Sequence, residues 1–371
     1  MIKITVFTLA VSALCLRSSA RADDAEEKAA AIVVATGGKV ERDSKLPGNP
    51  VIGVELYFTK GTDARLKELS ALKNLTRLDL YRSLVTDAGL KELAAFKNLT
   101  RLSLAYTSVT DTGLMELVAL KNLTFLDLRS PTINDRCLKE VAAVKSLTEI
   151  WLDSKLVTDA GLKELTALEG LASLRLGWAQ VTDSGLKDIA GFKNLKDLRF
   201  WNTKVTEAGL KELSALKILS RLEIGLLGSN LTDAGLKELA RHKNLSYLGL
   251  DYCQLLTAAG LKQLVALKNL SSLRLGNCVA GLEEIAALKG LTFLELDGCK
   301  VVTDDNVKKL TALKNLTSLS LRNNIQLTDA GLKELAVLKN LVRLDLTRTR
   351  ATSAVVMQIK QTLPNCKFVF Q

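Results

Sequence analysis

The chain alternates between stretches whose leucines fall at the first, fourth and sixth places and stretches whose apolar residues fall three and four apart. In LTRLDLYRS, from Leu75, the leucines at 75, 78 and 80 point one way and Arg77, Asp79 and Tyr81 the other, the period-two alternation of a strand. In VTDAGLKELAAFKN, Leu90, Leu93, Ala94 and Phe96 share one side while Lys91, Glu92 and Lys97 take the other, which predicts a short amphipathic helix. The leading Leu recurs at 75, 99, 123, 147, 171, 195, 219, 245, 270, 291, 316 and 341, first at a strict spacing of 24 and later at 26, 25, 21, 25 and 25. A degenerate copy, VIGVEL, begins at Val51. One strand per repeat, always in the same direction, predicts a parallel sheet with the helices covering its back.

The junctions carry their own signals. Thr86 and Asp87 supply a helix cap and a first-turn carboxylate for amides that have no intrahelical partner. The pair returns at Thr110/Asp111, Thr158/Asp159, Thr182/Asp183, Thr232/Asp233, Thr303/Asp304 and Thr328/Asp329, so the column of acids reads as capping and not as a metal site. The Asn of LKN, as at Asn98 and Asn122, suits a left-handed turn into the next strand. Its N-L-T and N-L-S sequons follow from the repeat itself. DAEEKAAAIVVATGG, from Asp24, predicts a capping helix stopped by glycine. SAVVMQIKQTLPNCKFVF, from Ser353, predicts a last helix, a proline break and a closing strand.

The LxxLxL core followed by VTDxGL resembles the leucine-rich repeat superfamily, and within it the cysteine-containing subclass as found in bacterial exported proteins. The resemblance covers roughly residues 51–350. It implies an α/β solenoid of horseshoe form, about 12 or 13 repeats of 24 residues, with a parallel concave sheet and convex helices. The domain order expected is a signal peptide over 1–22, an N-terminal cap over 23–50, the solenoid over 51–350 and a C-terminal cap over 351–371.

Composition adds location and subtracts chemistries. The first 22 residues combine Lys3, an apolar run from Ile4 to Leu16 and the small-x-small site Ala20-Arg21-Ala22, as a secretory signal requires. That run is too short to span a bilayer, so the expected location is secreted or periplasmic, with no membrane span. Leu14 before Cys15 departs from the small residue that a lipoprotein signal places there. Cleavage lowers the formal charge from +11 to +8 and leaves Cys137, Cys253, Cys278, Cys299 and Cys366, an odd number with no CxxC spacing. Cys253, Cys278 and Cys299 share the ninth repeat position with Thr107 and Asn324, a ladder of small polar residues read as free thiols with a disulfide left open. The single histidine, His242, stands in a slot held elsewhere by Leu72, Phe96 and Leu120, so it reads as packing. With no second histidine, no phosphate loop and no ligand cluster, the expectation is a non-enzymatic protein without cofactor or metal.

The third, fifth and seventh strand positions define the exposed sheet face. They hold nine arginines, ten acids and no lysine, a balanced face that argues against nucleic acid; the surplus lysines belong to the outer helices and turns. All three tryptophans fall in consecutive repeats: Trp151 at position five, Trp178 at position eight and Trp201 at position seven. Trp151 and Trp201 are expected on one face, roughly 12 Å apart by strand geometry. Exposed aromatics serve either cross-strand packing or recognition. The recognition reading places a partner on Trp151, Trp178, Trp201, Arg175, Arg199 and Arg221, bordered by Glu149, Asp153, Asp197, Glu223, Tyr247 and Tyr252. The expected partner is a protein on the concave face of a monomer. One alternative is a glycan or cell-envelope component stacked on the tryptophans, and another is a substrate adaptor like the ubiquitin-ligase leucine-rich repeat proteins, which the N-terminus leaves little room for.

Overall fold

The computed structural model describes residues 24–58, 62–226, 231–279 and 281–370. The expected signal segment, with Lys3 and Cys15, lies outside the described residues. By contacts the chain falls into two compact units, Met1–Leu171 and Ala172–Gln371.

In the first unit a helix over 24–35 ends at Gly37, whose φ of 83° lets the chain reverse. Strand β1 (Lys39–Arg42), which the alternation had not singled out, then pairs antiparallel with β2 (Val51–Glu55), the degenerate copy. From β2 onward, β3 (Arg77–Asp79), β4 (Arg101–Ser103), β5 (Phe125–Asp127) and β6 (Glu149–Asp153) add in parallel. The register never slips there: Gly53, Arg77, Arg101, Phe125 and Glu149 are successive partners.

The second unit repeats the plan with β7 (Ser173–Gly177), β8 (Asp197–Thr203), β9 (Arg221–Leu226), β10 (Tyr247–Leu250) and β11 (Ser272–Gly276). It continues with β12 (Phe293–Asp297), β13 (Ser318–Ser320), β14 (Arg343–Asp345) and β15 (Lys367–Val369), each parallel to the last. Each position-one, position-four and position-six leucine that anchors the phrases, such as Leu75, Leu78 and Leu80, is buried. Removing one such side chain to Ala costs about 2–5 kcal/mol, which is what holds every repeat in register.

The helices are shorter than the apolar spacing predicts. Asp87–Leu90 is one α turn that tightens into a 3-10 segment over Lys91–Ala95, because the last carbonyls of so short a helix lack i+4 partners. Asp135–Val141 and Asp159–Leu165 keep the α form throughout.

Capping by threonine holds at most copies: the Thr86, Thr158, Thr182, Thr232 and Thr328 side chains each accept a bond from the amide two residues on. Thr110 and Thr303 make no such bond. The acids do more than fill a first turn. Asp87 accepts the Thr110 amide at 2.7 Å and takes the Thr110 hydroxyl at 2.6 Å, and Asp135, Asp183, Glu207, Asp233 and Asp304 receive the threonine of the following repeat in the same way. A Cβ on the repeat's glycine would overlap that acid, as Gly209 would Asp183, so here glycine answers a close approach and not a turn. Cys137 occupies this glycine slot, and in the same repeat Asn134 replaces the threonine and caps its own helix through Arg136 and Cys137 amides.

Asparagine corrects another expectation. The LKN asparagines are absent from the left-handed region; instead the Asn98 and Asn122 amides donate to the carbonyls of Lys73 and Lys97, one repeat back, at 3.0 and 2.9 Å. The left-handed residue is at position eight, just past the strand: Phe58, Arg82, Tyr106, Trp178, Asn202, Tyr252, Asn277, Gly298, Asn323 and Arg348 all have φ between 52° and 65°. The amides of Phe58, Arg82, Tyr106, Trp178, Asn277, Gly298 and Asn323 donate to the next repeat, as Arg82 to Ala105 and Trp178 to Trp201, which offsets the roughly 1–2 kcal/mol that a side chain pays there. Ser130 and Ser154 take the same position without positive φ; they are buried and donate inward, to the carbonyls of Thr107 and Ile133.

Candidate functional site

On the sheet face of the first unit the odd positions form columns across strands. Phe125 on β5 and Trp151 on β6 meet edge to face, with centroids 5.0 Å apart and planes at 88°. The Trp151 indole N–H donates to Glu149 Oε1 at 2.8 Å, so the ring is tied along its own strand and braced across to the next. The Arg101 guanidinium lies 3.8 Å from the centre of the Phe125 ring, and Arg129 lies 5.1 Å from that of Trp151 while its Nε and Nη2 grip Asp127 at 2.9 and 2.7 Å. Arg101, Phe125, Asp127, Arg129 and Trp151, with Lys39, Glu41, Arg77, Asp79 and Tyr81, line an open groove of about 610 Å³. Beside it, burial lifts the Asp153 carboxyl to about 6, opposed by Arg129 and reinforced by Asp127.

The second unit holds the other expected residues. Trp201 on β8 is half-buried, and its partners in register on both sides are glycines, Gly177 and Gly225, so no neighbouring side chain rises beside it on the strands next to β8. Trp178, at position eight with φ 57°, is 45% exposed, and its amide donates to the Trp201 carbonyl at 3.0 Å. Arg199 clamps Asp197 on its own strand with bonds of 2.9 and 2.6 Å. Arg221 lies 3.9 Å from the same carboxylate and 3.5 Å from the centre of the Tyr247 ring. Arg274, outside the expected set, joins Glu223 at 2.7 Å, Glu295 at 2.9 Å and Asp251 at 3.4 Å. Burial raises the Asp251, Glu295 and Tyr247 pKa values despite this pairing. Arg175 is half-buried on β7, and Tyr252 is exposed at position eight.

The structure therefore brings Trp151 together with Glu149, and Arg199 and Arg221 with Asp197. Trp151 packs edge to face on Phe125, and of the expected aromatics Trp178 and Tyr252 are the most exposed. The groove also uses Arg77, Tyr81, Arg101 and Phe125, which occupy variable face positions in the sequence but lay outside the expected site; their shared columns appear when the strands are laid side by side.

His242 is buried, and desolvation lowers its pKa. The five described cysteines are free and buried. Cys253 and Cys299 donate to the carbonyls of Leu250 and Leu275, as position-nine Thr107 does to Leu104. Among the described residues no group of three or more His, Cys, Asp or Glu is placed to hold a metal ion, and no helix is long and apolar enough to cross a membrane.

A leucine rich repeat family model matches residues 97–118 and 312–336. Each segment spans a strand and the helix that follows it, β4 with Asp111–Leu114 and β13 with Asp329–Glu334. The fold is that of the leucine-rich repeat proteins. Among solved structures the chain is similar to an internalin, InlF, from Listeria monocytogenes, with 20% identity over 94% of both chains and a TM-score of 0.56. It also matches a leucine-rich repeat protein of Leptospira interrogans, with 24% identity over 82% of this chain and 80% of that one and a TM-score of 0.46. No curated protein matches the sequence. Leucine-rich repeats commonly serve as protein-binding scaffolds, because stacking presents side chains of many strands on one surface.

Proposed function

We propose that this leucine-rich repeat protein is an exported, monomeric, non-enzymatic scaffold that binds a protein partner on its sheet face. The VTDxGL phrase and the position-nine cysteines support the cysteine-containing subclass, and residues 1–22 support export. The observation that carries the reading is the first-unit groove, where Phe125, Trp151 and Arg101 are held in fixed geometry before any partner arrives. Pre-set aromatic and arginine side chains lose little freedom on binding, which is why they dominate protein interfaces. On the second unit, Trp178, Trp201, Tyr252 and Arg221 form a separate contact area. A saccharide is the second reading, favoured by Trp201 standing between Gly177 and Gly225, which carry no side chain to cover its ring.

The test uses the chain from residue 23 onward as bait in its extracellular milieu, with Phe125→Ala and Trp201→Ala as separate variants. The expected result is a captured protein whose affinity falls about tenfold or more with Phe125→Ala, the loss typical of a central aromatic anchor. Capture unaffected by either substitution, with unfolding transitions unchanged, sinks the assignment. Binding on a glycan array that depends on Trp201 alone transfers the function to the saccharide reading.

A further inference from the structure

The groove continues past Tyr81 into an exposed aromatic strip that the expected site did not include. Phe58, Tyr81 and Tyr106 stand in successive repeats, with ring centroids 5.4 Å and 5.5 Å apart and planes at 76° and 83°. Phe58 and Tyr106 occupy the left-handed eighth position, so their direction is set by backbone hydrogen bonds to the next repeat and not by burial. They are 66% and 42% exposed.

Arg82 shares that position and lies over all three rings, its guanidinium carbon 5.3, 5.4 and 5.2 Å from the centroids of Phe58, Tyr81 and Tyr106. No carboxylate among the described residues comes within ion-pair distance of it. That separates it from the face arginines around it: Arg77 contacts Glu41, and Arg129 is clamped by Asp127. The guanidinium is thus held among three aromatic rings with no acid of the described residues beside it, and its N–H groups can pair with an incoming carboxylate. Arg101, stacked on Phe125, is the second cation with capacity to spare, since its one acid, Glu149, is 3.7 Å away and its side chain is 45% exposed.

We propose that the strip and the groove together take an extended acidic segment of the partner protein, with one carboxylate on Arg82, a second on Arg101 and an apolar or aromatic side chain between them, against Tyr81. This deepens, and rests on, the scaffold reading of the same face. Arg82 and Arg101 differ by five strand positions and one strand, on the order of 15 Å, which an extended chain covers in four or five residues. The segment would therefore run along β3 and β4, with acids about five residues apart.

A displayed library of random linear dodecapeptides, selected on the chain from residue 23 onward, tests both levels. The expected outcome is enrichment of peptides with two acidic residues four or five apart flanking an aromatic or aliphatic residue. Synthetic copies should lose about tenfold or more in affinity with Arg82→Gln, and as much when their acids are changed to amides, because a charge-assisted pair is lost in each case. Arg82→Lys should retain part of the affinity. Peptides that enrich without acids, yet depend on Phe125, overturn this inference and leave the scaffold reading standing. Failure to enrich any peptide over the Phe125→Ala Trp151→Ala variant overturns both. Flotation with phosphatidylglycerol vesicles that is abolished by Arg82→Gln overturns it in favour of a membrane surface. Circular dichroism melts identical to the parent confirm that Arg82→Gln, an exposed change, leaves the fold intact.

Discussion

Asp183 reaches one repeat forward: its Oδ1 accepts the Thr206 amide at 2.8 Å and its Oδ2 takes the Thr206 hydroxyl at 2.7 Å. Gly209 lies where any side chain would overlap that carboxylate. Acid, threonine and glycine are thus one device spread over two repeats, and they fix the rise of the stack on the helical side as the strand ladder does on the other.

Gly209→Ala is expected to destabilise the protein by about 1–3 kcal/mol, as overpacking against a bonded carboxylate. Asp183→Ala removes two hydrogen bonds to a charged acceptor and should cost about 1–3 kcal/mol by itself. The two effects share a cause, so the double variant should cost less than their sum by more than about 0.5 kcal/mol. Urea unfolding of the four proteins measures this, and strict additivity would refute the coupling.

The strand half of each repeat was legible because period-two alternation recurs with fixed leucines, and a one-residue slip would expose all of them. The acid's forward reach was not legible, since its partner stands 23 residues downstream and the local capping role accounts for the same letters. Cys137 with Asn134 hinted at it, for glycine and threonine are lost together there. Position eight hid for a different reason: Arg82, Tyr106 and Trp178 are residues that seldom adopt positive φ, and only the interrepeat amide bonds hold them in it. The rarity of tryptophan drew the candidate site toward Trp151, Trp178 and Trp201. The groove, by contrast, is made of Arg101, Phe125 and Tyr81, which stand out only by what lies across the strand.

The position-nine thiols give a chemical prediction. Cys253, Cys278 and Cys299 are buried and free, with the Cys299 sulfur 3.2 Å from the Cys278 amide nitrogen. Hydrogen bonding to Cys253, with burial, pushes the Cys278 thiol well up, and hydrogen bonding to Cys278, with burial, does the same to Cys299, away from the reactive thiolate. In the chain from residue 23 onward, Ellman's reagent should find almost no thiol in the native protein and all five in guanidinium. Recovering three or fewer on denaturation, restored to five by reductant, would mean that a disulfide had formed.

His242 supplies the pH prediction. It is 6% exposed in a slot that leucine or phenylalanine fills in other repeats, and its Nε2 is buried without a hydrogen-bond partner. Desolvation lowers its pKa, partly offset by its bond to the Leu216 backbone and aided by Lys217. The unfolded chain therefore binds the proton more readily than the fold does. Stability should fall as pH drops below about 6.5, the ordinary histidine value, and level off below the folded pKa. His242→Leu removes the orphaned nitrogen, worth about 1–3 kcal/mol, and restores the leucine that the repeat carries elsewhere. The variant should melt at higher temperature and lose that part of the acid sensitivity, while the carboxylate contributions below pH 5 persist. Melting curves at pH 7.5 and 5.5 decide it: an equal drop in the two proteins would place the acid-labile group somewhere other than His242.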